Sequence, residues 1–185
     1  MRPLVLRLGV LGLALTLATI SHAAKPVPKE RVEQTRSLDQ KRSLDQFVSQ
    51  AAGRSLAGVE LSDLALQRSD SAAVRRLARR AHDEHAHTFD TLLGLATGAG
   101  VTAAPPETID LEQRGIKSRL SALSGRAFDR AYVDALRTND DRDIALYRTY
   151  ARDGGDAAFT QWVEEQLTTI RKRRQLIDAA ALEIR

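Results

Sequence analysis

From Phe47 to the C-terminus the apolar positions recur every three or four residues, the spacing of helices with one buried face. Residues 44–68 set Val48, Ala52, Ser55, Val59, Ser62 and Leu66 on one face, widened by Ala51 and Leu56. Ser69-Asp70-Ser71 breaks this helix and supplies an N-cap for the next. Residues 72–96 carry a stripe of Val74, Leu77, Ala78, Ala81, His85, Thr88, Leu92 and Leu95. It ends at "TGAG", since glycine caps a helix and does not continue it. The loop "VTAAPPETID" leads into a shorter helix over 108–123, with Ile109, Ile116, Leu120 and Leu123 inward. Ser124-Gly125 interrupts it, a helix over 126–152 follows, and "RDGGD" closes that one. The last helix spans 157–182, with Phe159, Val163, Leu167, Ile170 and Ile177 inward. Period-two alternation is nowhere sustained, so no strand is expected.

Four helices of this length are rods of roughly 35–40 Å at about 1.5 Å per residue. Short turns join the first long pair and the last long pair, which makes each an antiparallel hairpin. Residues 97–125 form one long connection between the pairs. The expected fold is all-α: a ferritin-like four-helix bundle with a long crossover carrying a short extra helix. An up-down-up-down bundle would not need that connection.

The N-terminus has a different pattern. Arg2 and Arg7 precede an apolar run from Leu8 to Ile20, and "SHAA" follows with small residues at Ser21 and Ala23. This is the three-part pattern of a secretory signal peptide, shorter in its apolar part than a membrane span. Cleavage is expected near Ala23, giving a periplasmic or secreted chain of about 160 residues, one domain's worth. An uncleaved membrane anchor is the alternative. Residues 24–43 hold two prolines, Pro26 and Pro28, and many charges, and the direct repeat "RSLDQ" at 36–40 and 42–46 runs across their end. They read as a mobile leader ahead of a bundle over 44–185.

Composition narrows the function classes. Cysteine is absent, so packing alone must hold the fold. Net charge is +4, and the signal segment takes Arg2 and Arg7 with it. "VRRLARR" and "RKRR" are answered by "NDDRD" and "WVEE" and read as solvated helix faces. Small net charge and an export signal argue against nucleic acid as a partner. No stable membrane span is expected in the mature chain, and the sequence names no partner or oligomeric state.

Candidate chemistry is confined to "RRAHDEHAHTFD", residues 79–90, which holds His82, His85 and His87. At about 100° per residue, His85 falls on the apolar stripe, His82 flanks it, and His87 faces solvent with Arg80, Asp83 and Glu84. The match Glu84-x-x-His87 therefore points outward and occurs once, whereas di-metal bundles carry two such motifs inward. His82 and His85, three apart, can chelate a metal or simply stack. Against that, His85 can be a buried histidine satisfied by a carboxylate across the bundle. Glu60, Asn139, Asp140 and Asp143 are the available partners, and Asn139 and Asp143 interrupt the stripe of Phe128, Tyr132, Leu146 and Tyr150. No cofactor is favoured. A divalent metal stays open, with His82, His85, Glu60, Asp140 and Asp143 as candidate ligands. There is no Gly-rich phosphate loop, no G-x-S-x-G and no histidine elsewhere in the mature chain to serve a triad.

The segments "FVSQAAGRSLAGVELSDLAL", "DEHAHTFDTLLGLATGAGV" and "LSALSGRAFDRAYVDAL" resemble an exported bacterial family, domain of unknown function 4142, over about Phe47 to Ala181. The resemblance implies a ferritin-like helical bundle, in a family often labelled as membrane or outer-membrane proteins. It matches Glu60 to the family's glutamate in the first helix and Asp83-Glu84-His85 to its acidic-acidic-His. Where the family usually has Asp-His, this chain has Asn139-Asp140, and where it often has a later histidine, this chain has Arg173. Arginine stays protonated and repels cations, so Arg171, Lys172, Arg173 and Arg174 close that side to a metal. The expected protein is an exported, non-catalytic bundle with a structural, stress-related or interaction role. The rivals are a ferritin-like metal-binding or redox protein and a protein anchored through its signal segment.

Overall fold

The computed structural model describes residues 28–153 and 156–185. The signal segment expected over 1–23 and the first part of the expected leader lie outside the described residues. Five helices and no strand occur among the described residues: α1 (Lys29–Arg68), α2 (Ala72–Gly98), α3 (Leu111–Ser121), α4 (Gly125–Asp153) and α5 (Ala157–Glu183). The all-α bundle expected from periodicity is the fold.

Capping residues explain the boundaries. Ser71 accepts from Val74 N at 3.4 Å, Asp110 from Gln113 N at 2.8 Å, and Asp156 from Phe159 N at 3.0 Å. The shorter helix therefore begins at Leu111 and not at 108, because Asp110 in extended backbone takes the cap position. At the end of α2, Gly100 turns left-handed with φ of 67°, and Val101 N reaches back to Ala96 O at 2.9 Å. Only a residue without a β-carbon adopts that turn without strain.

Cross-helix pairs fix the directions. Phe47, Arg54 and Ser62 of α1 meet Tyr150, Asp143 and Tyr132 of α4, so these helices run antiparallel. Glu84 and Thr88 of α2 meet Arg173 and Gln166 of α5 in the same sense. α1 packs on α2 and α4, and α5 on α2 and α4, leaving α1 diagonal to α5. α2 and α4 thus point the same way, and the connection between them must travel the length of the bundle. It does so along α1: Pro106 Cγ lies 3.5 Å from where a Gly53 β-carbon would stand, Lys117 pairs with Glu60, and Arg68 donates to Leu123 O.

The expected leader differs from the structure. α1 begins at Lys29, so residues 29–43 are helical and continuous with the bundle helix. Pro28 sits at the N-cap, and no proline or glycine follows until Gly53. Extending an existing helix with Lys, Glu, Arg, Gln and Leu costs little once the buried part has nucleated it. The extension buries nothing large: Val32 and Leu38 are 54% and 53% exposed. Deleting residues 28–43 is expected to shift the thermal midpoint by less than about 2 °C while lowering far-UV helicity. A larger shift in the melting curve would mean that the extension is packed in solution.

The core is split in two. One apolar cluster joins Leu61, Leu64, Val74, Leu77, Phe128, Tyr132, Leu136 and Ile177 at the α1–α2 turn end. The other centres on Phe47, stacked on Tyr150 with ring centroids 4.0 Å apart and edged by Tyr147, Phe159 and Trp162. Between the two clusters all four long helices turn polar residues inward.

Candidate functional site

That polar layer is the candidate site. α1 brings Arg54, Ser55 and Gly58, α2 brings Glu84, His85 and Thr88, α4 brings Asn139, Asp140 and Asp143, and α5 brings Gln166 and Arg173. On α4 the charges sit at the same helical phase as Tyr132, Leu136 and Tyr147, so burial of the aromatic stripe carries them in.

Arg173 is the centre of the layer. Its side chain is only 3% exposed and is gripped by carboxylates from two helices. Nε and Nη2 donate to Asp140 Oδ1 at 3.0 and 2.6 Å, and Nη1 donates to Glu84 Oε2 at 2.9 Å. Arg80 donates to the other Glu84 oxygen from the surface. A second guanidinium, Arg54, donates from Nε to Asp143 Oδ1 and from Nη2 to the Asn139 carbonyl at 2.9 Å. The Asn139 and Gln113 amides pair with each other at 3.3 and 3.4 Å, and Thr88 donates to Gln166 at 2.9 Å. Most of the buried polar inventory is therefore satisfied inside the protein.

Two buried atoms of the layer are not. Asp140 Oδ2 and His85 Nε2 have no hydrogen-bond partner among the described residues. His85 was expected to pair with a carboxylate across the bundle, and the structure shows otherwise, because the guanidiniums have taken those carboxylates. Its ring lies on Gly58 instead. A β-carbon there would stand 2.2, 2.3 and 2.5 Å from Cδ2, Cγ and Nε2 of His85. Gly58 is the close approach that lets the imidazole into the core.

The sequence candidates divide accordingly. His85, Asp140 and Asp143 come together in the layer. Glu60 does not: it holds Lys117 at 2.7 Å. His82 is at the surface between Asp63 and Asp83, at 3.5 and 3.2 Å. Glu84, expected on the solvent face beside His87, turns inward, since a glutamate at the edge of α2 is long enough to reach α5. Arg54 was missed, although it stands three residues after buried Ala51 and four before buried Gly58. No group of three or more His, Asp or Glu side chains among the described residues is placed to hold a metal. The donors fit one poorly because each carboxylate of the layer already faces a guanidinium.

Burial sets the protonation of the layer. His85 is held well below the ordinary imidazole value by burial, then by Arg173, Arg54 and His82. Burial pushes Asp140 up to about 6 against the pull of Arg173, and it raises Asp143 against Arg54. These shifts act oppositely on stability. As pH falls from about 6 to about 4, folded Asp140 binds a proton before the unfolded chain does, which adds up to roughly 1.4 kcal/mol per unit, and Asp143 acts in the same sense. Below about 6.5 the unfolded chain protonates its histidine while folded His85 stays neutral, which subtracts a similar amount. Asp140→Asn should therefore tilt the stability profile toward acid loss, and His85→Gln toward acid gain, with the wild type between them. Urea midpoints from about pH 4.5 to 7 check this, and identical slopes in all three proteins would remove His85 and Asp140 as its source.

Comparison with known families matches residues 28–180 to the domain of unknown function (DUF4142). The chain belongs to that family. The match begins at the N-cap of α1, so this family's domain includes the exposed helical extension as well as the bundle. No curated protein and no solved structure matches the chain. No helix among the described residues of this DUF4142 member is long and apolar enough to cross a membrane.

Proposed function

We propose that this DUF4142 protein is an exported, non-catalytic helical-bundle protein with a structural or partner-binding role, released by cleavage near Ala23. The observation that carries the reading is the closure of the polar layer upon itself. The charged groups that could act as acid, base or ligand are spent on one another: Asp140 and Glu84 on Arg173, and Asp143 on Arg54. A catalytic carboxylate or imidazole needs access to a substrate, and here Asp140 is 0% and His85 3% exposed. The charged start, short apolar run and small residues before Ala24 support export. Elemental analysis and intact mass of untagged protein purified from the extracytoplasmic fraction test the proposal. The expected result is a chain starting at Ala24 or Lys25 with less than about 0.1 equivalent of iron, manganese or zinc. Stoichiometric metal would replace it with the ferritin-like metal protein, and an intact Met1 start would make it an anchored one.

A further inference from the structure

We infer that the Asp140–Glu84 part of the polar layer is a cation site whose cation is the protein's own Arg173, and that this residue keeps divalent metal out of it. The inference rests on the non-catalytic reading above and names the residue that enforces it. A guanidinium held by carboxylates from two different helices has the surroundings that a bound metal ion would have. Asp140 and Glu84 approach it from α4 and α2; Asp140 is fully buried, and Glu84 is only 9% exposed. Asp140 keeps its Oδ2 without a partner, 0% exposed, and His85 keeps a bare Nε2, 3% exposed, in the same layer. Carboxylate oxygen and neutral imidazole nitrogen are ligands for manganese and zinc.

Shortening Arg173 removes one positive charge and the volume of its side chain together. Asp140 is left buried and uncompensated and Glu84 keeps only surface Arg80, a state that proteins resolve by protonation, by rearrangement or by taking up a cation. Divalent cations supply the charge without a side chain, so the vacated space and the two carboxylates become the ligand cradle. Surface carboxylates do not compete on equal terms, since water already solvates them.

The test is Arg173→Ala in untagged, full-length mature protein, titrated with manganese or zinc chloride and followed by melting curves and equilibrium dialysis. Wild type should keep its midpoint within about 1 °C and retain no metal. Arg173→Ala should retain one equivalent and gain roughly 5–10 °C at a hundredfold excess over Kd. Adding Asp140→Asn to that variant should abolish both effects. If Arg173→Ala does not fold without metal, Arg173→His supplies a smaller side chain and a further ligand, with the same two readouts. Absence of binding in both variants overturns the inference, as does binding that survives Asp140→Asn, which would place the metal at a surface site such as His82. Metal bound stoichiometrically to the wild type would sink the non-catalytic reading and this inference together, whereas absence of binding in both variants sinks the inference alone, so the two failures are distinguishable.

Discussion

Arg173→Met is expected to be the most destabilising substitution in the bundle, at about 3–5 kcal/mol, the usual loss when one partner of a buried ion pair is removed. The methionine fills much of the same space, so the loss reports charge and not volume. Asp140 Oδ1 loses both of its donors at once, and Glu84 keeps only surface Arg80. At roughly 2–4 °C per kcal/mol the midpoint should fall by about 10 °C. The complementary variant is the triple replacement Glu84→Leu, Asp140→Leu, Arg173→Met. Removing all partners together removes the desolvation cost of three charges, and such swaps are often neutral or stabilising. The triple variant should therefore melt close to or above the wild type. If it melts no higher than Arg173→Met alone, the layer contributes through packing and not through paired charge.

Gly58→Ala should also destabilise, against the ordinary preference of helices. In an exposed helix interior alanine is favoured over glycine by about 1 kcal/mol. Here the new methyl would meet three atoms of the His85 ring at 2.2 to 2.5 Å, and no side-chain carbon tolerates that distance. His85 cannot swing away freely, since it is only 3% exposed on the buried face of α2. Overpacking of this kind costs about 1–3 kcal/mol or more, so a net loss of about 2 kcal/mol is expected. In a His85→Ala background the obstacle is gone and Gly58→Ala should become neutral or favourable. Chemical denaturation of the four proteins of that cycle checks it, and additive effects would mean that the ring does not lie on Gly58 in solution.

How much of this was legible depends on which physical signal each feature leaves. The helices were, because burial of one face at 3.6 residues per turn writes itself into composition: Val74, Leu77, Ala81 and Leu92 are buried as the stripe requires. The crossover was legible from the length of the connection between two tight hairpins. His85 was placed on the buried face by the same stepping. The start of α1 was not legible, because a polar extension carried by an already formed helix leaves no apolar pattern, and two prolines suggested a break that Pro28 only bounds.

The layer itself was legible only as a set of misplaced polar residues. Asn139 and Asp143 within an aromatic stripe announced that something polar lies inside, since such residues are costly there without partners. The sequence by itself determined four amphipathic helices, their order and the presence of buried charge at mid-height. Which charge meets which was decided by the tertiary structure alone. Helix phase places a side chain to within a turn, whereas a hydrogen bond requires about 3 Å, and that distance depends on how α2, α4 and α5 are set against one another. That setting gave the carboxylates to Arg173 and Arg54, turned Glu84 inward, and left His85 on Gly58 with one nitrogen bare.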